Sequence, residues 1–220
     1  LAFEDMWKKD RRVATRPEGE KAPPPPKPRT PSSKIVDSII DAAKLERRRD
    51  PENRKRMTLR SADIAPDTDP GDLAVAFAEA QRGRNLLREL DRHAVLEFTD
   101  TPVSALAIKK AAEFRKDIAN KHYSIDIDRI NHAFNSHGPG NETDEKNEPI
   151  SVEDFAMVPD VLQDPDKVVF HNEYEGKGAS LEYRRRINGW LVVVEMITSE
   201  GSELNEIQFR TMWKEIGKGH

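Results

Sequence analysis

The sequence predicts an α+β protein built around a small antiparallel β-meander near the C-terminus, preceded by a helical region and a Pro-rich linker. Three observations support this prediction. Asn188-Gly189 separates two runs of strand-forming residues, which is a strong hairpin signal. Several upstream segments carry apolar residues at helical spacing. The run Ala22–Pro28 contains five prolines, a composition typical of an extended, semi-rigid spacer.

The register of the hairpin follows if Asn188 and Gly189 form a two-residue loop. One side of the two strands, face A, is then apolar except for Arg185, and the other side, face B, carries the charge. A slip of one residue would exchange the two faces. The predicted face A pairs are Ile187 with Trp190, Arg185 with Val192, Tyr183 with Val194 and Leu181 with Met196, and the face B pairs are Arg186 with Leu191, Arg184 with Val193 and Glu182 with Glu195.

A third strand is predicted within Leu204–Trp213, after a Gly-containing loop at 199–202. Its apolar residues set a register that extends face A with Ile207 and Phe209. That register places Ile207 opposite Val194, Phe209 opposite Val192 and Thr211 near Trp190, and it adds Glu206, Gln208 and Arg210 to face B. Face B is then either a solvated surface with ion pairs or a surface that binds anions and transfers protons.

Upstream, the chain divides into three predicted parts. These are a disordered linker over 1–33, a helical region of unknown role over 34–93, and a domain over 94–220 that contains the meander. The predicted elements are helices at Lys34–Arg49 and Asp72–Leu90 around a loop at 50–70, strands at Ala94–Phe98 and His122–Ile125, helices at Ala105–Lys116 and from Asp126 to Gly138, a mobile loop at 141–149, short helical turns begun by Ser151 and Pro159, and a strand at Lys167–Phe170.

Charge is distributed unevenly along the 220 residues. The net charge is −4, yet residues 1–60 hold 17 Lys and Arg against 10 Asp and Glu, whereas the remainder holds 19 against 30. An acidic folded part argues against non-specific nucleic-acid binding, although an enzyme can act on nucleic acid through a local basic patch. The chain contains no cysteine, so disulfide and thiolate chemistry are excluded.

The chain has no run of about 18 apolar residues and no signal-peptide pattern at its charged beginning. We therefore expect no membrane partner and a cytoplasmic location, or delivery into the cytoplasm of a target cell. The chain begins with Leu1, which we interpret as a sign of a larger parent polypeptide or a processed product.

Two histidines, His132 and His137, lie near the end of the helix that Asp126 caps. Their spacing of five residues places them about 140° apart around a helix, which suits two ligands of one metal poorly. We expect neither a metal nor a cofactor. The helix macrodipole near His137 favours an imidazolium, which can serve as a general acid, a phosphate partner or simply a helix cap.

No P-loop, dinucleotide fingerprint or nucleophile elbow is present in the sequence. The remaining chemical groups are histidine, arginine, carboxylate and hydroxyl, which are those of metal-independent RNA cleavage. In that reaction a base removes the 2′-OH proton, an acid protonates the leaving 5′-oxygen, and a cation stabilises the phosphorane.

Five stretches of the sequence follow a distinctive order. The first is a helix with paired histidines, the second is an acidic segment with prolines, and the last three belong to a meander that ends in Thr-x-aromatic. They are His132–Gly138, Ile150–Asp166, Leu181–Arg184, Val192–Glu195 and Thr211–Lys214. In this order residues 94 to 217 resemble the phage- and prophage-associated nuclease domains of the barnase–EndoU–colicin–RelE-like superfamily. Such domains occur at the C-termini of phage head-morphogenesis-type proteins, large polyvalent proteins and polymorphic toxins.

The resemblance implies helices packed on one face of an antiparallel sheet and metal-independent cleavage of RNA, with tRNA as the expected substrate and an immunity or antitoxin protein as a partner. The implied product is a 2′,3′-cyclic phosphate. The implied catalytic residues are His132, His137, Arg184, Arg186 and Thr211, and we expect Glu195, Arg210 and Gln208 to bind the substrate. The predicted register places Thr211 at the end of face A, away from the charged face.

Two other classes of function remain open. One is a non-catalytic interaction or assembly module of a phage-type or secreted protein, in which the spacer and the helical region carry the function. The other is an enzyme of a different class, such as a transferase that uses the arginines and glutamates of face B.

Overall fold

The computed structural model describes residues 13–15, 29–30, 32–49, 56–82, 94–141, 147–171, 179–198 and 205–216. Within these residues, nine strands form one open, mixed sheet. The strands are β1 (Val13–Thr15), β2 (Met57–Arg60), β3 (Ala94–Phe98), β4 (His122–Asp126), β5 (Asn147–Glu148), β6 (Lys167–His171), β7 (Ala179–Ile187), β8 (Trp190–Thr198) and β9 (Glu206–Ile216). Their order is β1-β6-β7-β8-β9-β4-β3-β2, with β5 paired to β9.

The described helices pack on face A and share one core with it. They are α1 (Ser33–Arg49), α2 (Ser61–Ile64), α3 (Pro70–Arg82), α4 (Ala105–Ala112), α5 (Ile127–His137), a 3₁₀ helix (Glu153–Met157) and α6 (Val158–Gln163). Ile39 of α1, Phe77 of α3 and Leu162 of α6 join Leu181 and Phe209 of the sheet in that core. The predicted α+β fold class is confirmed, although the sheet is mixed because β2 with β3 and β4 with β9 are parallel pairs.

The hairpin of β7 and β8 adopts the predicted register along its whole length. Asn188 and Gly189 have φ angles of 50° and 88°. Two successive positive φ values define the hairpin turn that Asn-Gly favours, because neither residue is strongly penalised there. The local turn therefore fixes which side chains of the meander lie on each face.

The predicted register of the third strand is wrong. In β9, Ile207 lies opposite Thr198, Phe209 opposite Met196 and Thr211 opposite Glu195, with a β-bulge at this last step. Arg210 is the extra residue, and it shifts the alternation of β9 by one. Phe209 consequently remains on face A, whereas Thr211 moves to face B, beside the charged residues.

Two further strands lie in segments that we predicted to be loop or linker. β2 lies within the predicted loop at 50–70 and pairs with β3, and β1 lies within the predicted linker and pairs with β6. Both are short edge strands, for which sequence patterns are weak. The Pro-rich run at 22–28 lies outside the described residues, as do residues 83–90 of the predicted second helix.

The remaining predicted helices and strands are present, with some changes at their ends. Asp126 caps α5 by accepting a hydrogen bond from the Arg129 backbone N–H at 2.7 Å. Helix α4 ends at Ala112, earlier than predicted, before a turn in which Arg115 has a φ of 60°. Residues 147–148 of the predicted loop pair with β9. No helix among the described residues is long and apolar enough to cross a bilayer.

Candidate active site

Face B continues across the sheet from β6 to β2, and its described side chains form rows across the strands. The row at the β-bulge contains Glu182 of β7, Glu195 of β8 and Thr211 of β9. The next row contains Arg184, Val193 and Trp213 on the same three strands. The bulge thus brings the hydroxyl of Thr211 into the row of two carboxylates.

Glu195 is the centre of a hydrogen-bonded chain on face B. Its Oε1 atom accepts hydrogen bonds from Ser180 Oγ and from Arg210 Nη1, both at 2.8 Å. Thr211, opposite Glu195, is 6% exposed, and its Oγ1 has no hydrogen-bond partner among the described residues. A buried hydroxyl without a partner destabilises a fold by about 1–3 kcal/mol, so this atom requires an explanation beyond packing.

Glu182, which faces Glu195, has partners of its own. Its carboxylate accepts a hydrogen bond from Arg184 Nε and lies 3.3 Å from His171 Nε2. Burial alone would raise the pKa of Glu182, but the hydrogen bond with His171 and the charge of Arg184 outweigh burial and lower the pKa below its ordinary value. Glu182 therefore stays ionised beside Arg184.

His137 lies at the C-terminal end of α5 and contacts the ring of Trp213, with 5.7 Å between the ring centroids. Its Nδ1 atom is buried without a hydrogen-bond partner among the described residues. Burial lowers the pKa of His137, and the nearby His132 lowers it further. Burial therefore opposes the imidazolium that the macrodipole was expected to favour at this end of α5.

The other predicted site residues are placed less favourably. His132 is exposed on α5, Arg186 is exposed on β7, and the backbone N–H of Arg186 donates to Asp166 at 2.8 Å. Gln208 lies on face B, but its Nε2 donates to Asp126 Oδ2 at 2.7 Å and ties β9 to the cap of α5. The structure thus places Arg184, Arg210, Glu195 and Thr211 in adjacent rows of face B, with His137 at the edge. Arg186 lies on the same face one row beyond Arg184, and His132 lies outside this surface.

Sequence reasoning assigned no role to several residues of this surface. Arg56 donates to Glu206 through both guanidinium ends, one of them at 2.7 Å, and lies 3.9 Å from Glu97. The alternation of β2 could have signalled this position, but the segment was predicted to be a loop. His171 was predicted to be a surface residue, although the alternation of β6 places it on face B.

Three arginines of face B each form an ion pair with a glutamate: Arg56, Arg184 and Arg210. The surface is therefore close to charge balance in spite of its arginines. A phosphate that binds Arg56, Arg184 or Arg210 must therefore replace a carboxylate partner of that arginine. Among the described residues, no group of three or more His, Asp or Glu side chains is placed to hold a metal ion.

The fold and the site define an α+β protein with arginines, carboxylates, a free hydroxyl and a histidine on one sheet face, a combination suited to phosphoryl transfer. The chain belongs to the phage-Barnase-EndoU-ColicinE5/D-RelE like nuclease3 family, whose model matches residues 103–219, more than half of the chain. The predicted family is thereby confirmed, and the chain carries a nuclease domain of this phage type. Searches of curated proteins and of solved structures found no match.

Proposed function

We propose that the chain is a metal-independent endoribonuclease of the toxin or effector type, with tRNA as its expected substrate. In this proposal the 2′-OH of the RNA attacks the adjacent phosphorus, and the products end in a 2′,3′-cyclic phosphate and a 5′-OH. The nucleophile belongs to the substrate, so the protein must supply only proton transfer and charge stabilisation.

The observation that carries the proposal is the pair of buried polar atoms without partners around Trp213. Thr211 Oγ1 lies two residues before Trp213 on β9, and His137 Nδ1 belongs to the imidazole that contacts the Trp213 ring. Unpaired buried groups are tolerated where a ligand completes them. A phosphodiester has the acceptor oxygens, and its 2′-OH the donor, that these two atoms lack.

The proposal gives each residue a chemical role. His137 is the general base, since its lowered pKa keeps the imidazole neutral near pH 7 and able to accept the 2′-OH proton. Thr211 Oγ1 donates a hydrogen bond to a non-bridging oxygen of the phosphorane, and Arg184 and Arg210 balance its charge. His132, which is exposed on the same helix but lies outside this surface, is the candidate general acid, because it is the other histidine that the family resemblance implies.

The test is incubation of the full chain with total tRNA in EDTA, followed by analysis of the new 3′ ends. We expect 2′,3′-cyclic phosphate ends, with a rate reduced about 10²- to 10⁴-fold in His137→Gln. His122→Gln, at the far side of face B on β4, is the matched control and should cleave at the wild-type rate. The proposal fails if the wild type does not cleave, or if His137→Gln cleaves as fast as the wild type.

A toxin or effector of this kind acts in a cytoplasm and requires a neutralising immunity or antitoxin protein in the cell that makes it. We expect expression of the full chain in a bacterial cytoplasm to stop growth, and expression of His137→Gln to be tolerated. Equal growth of the two strains at equal protein levels would contradict the toxin proposal while leaving nuclease activity in place.

A non-catalytic interaction module is the second candidate, and the charge-balanced state of face B favours it. Arg56, Arg184 and Arg210 already have carboxylate partners, so a phosphate must compete with those partners. This candidate predicts that the chain binds a protein partner equally well with and without the His137→Gln change, and that it cleaves no RNA.

A further inference from the structure

We propose that Trp213 is a stacking platform for an unpaired nucleobase, which makes it the residue that orients the RNA on face B. The inference rests on the proposed ribonuclease function and adds a binding subsite to it. The ligand class is a single-stranded nucleotide, whose base lies on the indole while its phosphate reaches Thr211.

The position of Trp213 distinguishes it from the other aromatic residues of the meander. Strands β7, β8 and β9 contain four aromatic residues, and three of them, Tyr183, Trp190 and Phe209, lie on face A. Trp213 pairs with Val193 and lies on face B. Tyr183 and Phe209 are fully buried, whereas Trp213 remains partly exposed and is not part of the hydrophobic core. Core packing therefore does not account for an indole at this place.

The indole is held in a fixed orientation. Its Nε1 donates a hydrogen bond to Glu215 Oε1 at 2.9 Å, and its ring lies beside that of His137 with an angle of 31° between the ring planes. A preoriented aromatic ring loses little conformational entropy when a base stacks on it. Proteins that bind single-stranded RNA use such rings because every base has a π-face.

The spacing along β9 matches the size of a nucleotide. Thr211 and Trp213 are two residues apart on the same face, which is about 7 Å along a strand. A base on the indole thus places its own phosphate near the unpaired Thr211 hydroxyl, while Arg184 lies in the same row as Trp213. The same base brings its ribose toward His137, the proposed general base.

A competing explanation is that Trp213 only positions the imidazole of His137 through their ring contact. The two explanations predict different effects on binding when the bases are removed from the ligand. Stacking requires a base, whereas positioning of His137 is independent of the bases. The test therefore compares a 2′-O-methyl oligonucleotide, which cannot be cleaved, with a base-free tetrahydrofuran phosphate oligomer of equal length and charge.

The experiment uses the full chain with Trp7→Phe and Trp190→Phe, so that Trp213 is its sole tryptophan. We expect the 2′-O-methyl oligonucleotide to quench Trp213 fluorescence and to bind about 10- to 100-fold more tightly than the base-free oligomer. We expect Trp213→Leu in the wild-type background to lower affinity for the 2′-O-methyl oligonucleotide by a similar factor, and Trp213→Phe to lower it less. If the double variant does not fold, the fluorescence difference between wild type and Trp213→Phe reports the same ring.

Equal quenching and equal affinity for the two oligomers would overturn the subsite. So would an unchanged affinity for the 2′-O-methyl oligonucleotide in Trp213→Leu. Cleavage of tRNA by the wild type together with either result would leave the ribonuclease proposal intact and remove only the stacking role. Base-dependent quenching without any cleavage would support the subsite and remove the catalytic proposal.

Discussion

Most buried side chains of strands β7 to β9 differ in character between the two faces, although Arg185 is buried on face A and Val193 on face B. On face A, Leu181, Tyr183 and Phe209 are fully buried beneath the helices. On face B, Glu182 and Thr211 are nearly as deeply buried, at 8% and 6% exposure, yet they present a carboxylate and an unpaired hydroxyl. Apolar burial stabilises a fold, whereas buried charges and unpaired polar groups work against it. The difference indicates that face A maintains the fold and that face B is shaped by another requirement.

The largest effect is expected from removal of residues 1–93. This truncation removes α1 and α3 from face A and β2 from the edge of the sheet. We expect the fragment 94–220 to lose the cooperative thermal transition of the full chain, because its part of the core would be exposed to water. Circular dichroism during heating measures this. Removal of residues 1–12 alone keeps every described strand and is the control. A cooperative transition at the full-chain temperature for 94–220 would contradict the expectation.

The neighbouring residues Phe209 and Thr211 test the two faces directly. We expect Phe209→Ala to lower the free energy of unfolding by about 3–5 kcal/mol, because it leaves a cavity in the core. Thr211→Val removes an unpaired buried hydroxyl at nearly constant volume, so stability should be unchanged or raised by up to about 1 kcal/mol. Urea unfolding measures both values. A loss above about 2 kcal/mol in Thr211→Val would show that its hydroxyl has a structural partner.

The pH dependence of cleavage tests the role of His137 at the edge of face B. As the general base, His137 must be unprotonated, and its pKa lies below the ordinary value of 6.5. We therefore expect the acidic limb of kcat/KM to have its midpoint below 6.5. A midpoint above 6.5 would assign the acidic limb to another group.

The smallest predicted effect concerns acid stability and the ion pairs of face B. Burial alone would raise the pKa of Glu206, but the hydrogen bonds and charge of Arg56 outweigh burial and lower the pKa below the ordinary 4.5. A lowered carboxyl pKa contributes stability that is full above 4.5 and is lost as pH falls through the folded-state value. We expect Glu206→Gln to be less stable than the wild type at pH 7 and to lose less stability on acidification. Urea unfolding at several pH values measures the free energy of unfolding of both proteins. A steeper loss of this free energy on acidification in Glu206→Gln than in the wild type would contradict the expectation.

The parts of the fold that sequence predicted well depend on short-range signals. Asn188-Gly189 fixes the hairpin register through backbone conformation alone, and Asp126 followed by apolar residues at helical spacing fixes the start of α5. Both signals act over a few residues, so no distant contact can override them easily. The hairpin register also fixes which side chains lie on each face, so the separation of charged residues on face B from apolar residues on face A was predictable too.

The parts that failed depend on contacts between distant segments. The bulge at Arg210 interrupts an alternation that the sequence alone presents as continuous, and strand β2 exists because β3 is available beside it. The lowered pKa of His137 likewise results from burial against other elements, which a helix-end argument does not include. The catalytic roles of the residues named from sequence stay predictions. Among those residues, Thr211 differs most from its predicted position, because the bulge moves it from face A to face B.

The central claim is that the bulge places Thr211 on face B as a donor to the reacting phosphate, and one rate comparison tests it most directly. The single-turnover rate of RNA cleavage is measured for Thr211→Val and for Thr58→Val, a matched change on strand β2 away from His137. We predict a loss of about 10²- to 10³-fold for Thr211→Val, as for removal of one transition-state donor, and a change of less than about twofold for Thr58→Val. A rate for Thr211→Val within about threefold of the wild type would contradict the claim.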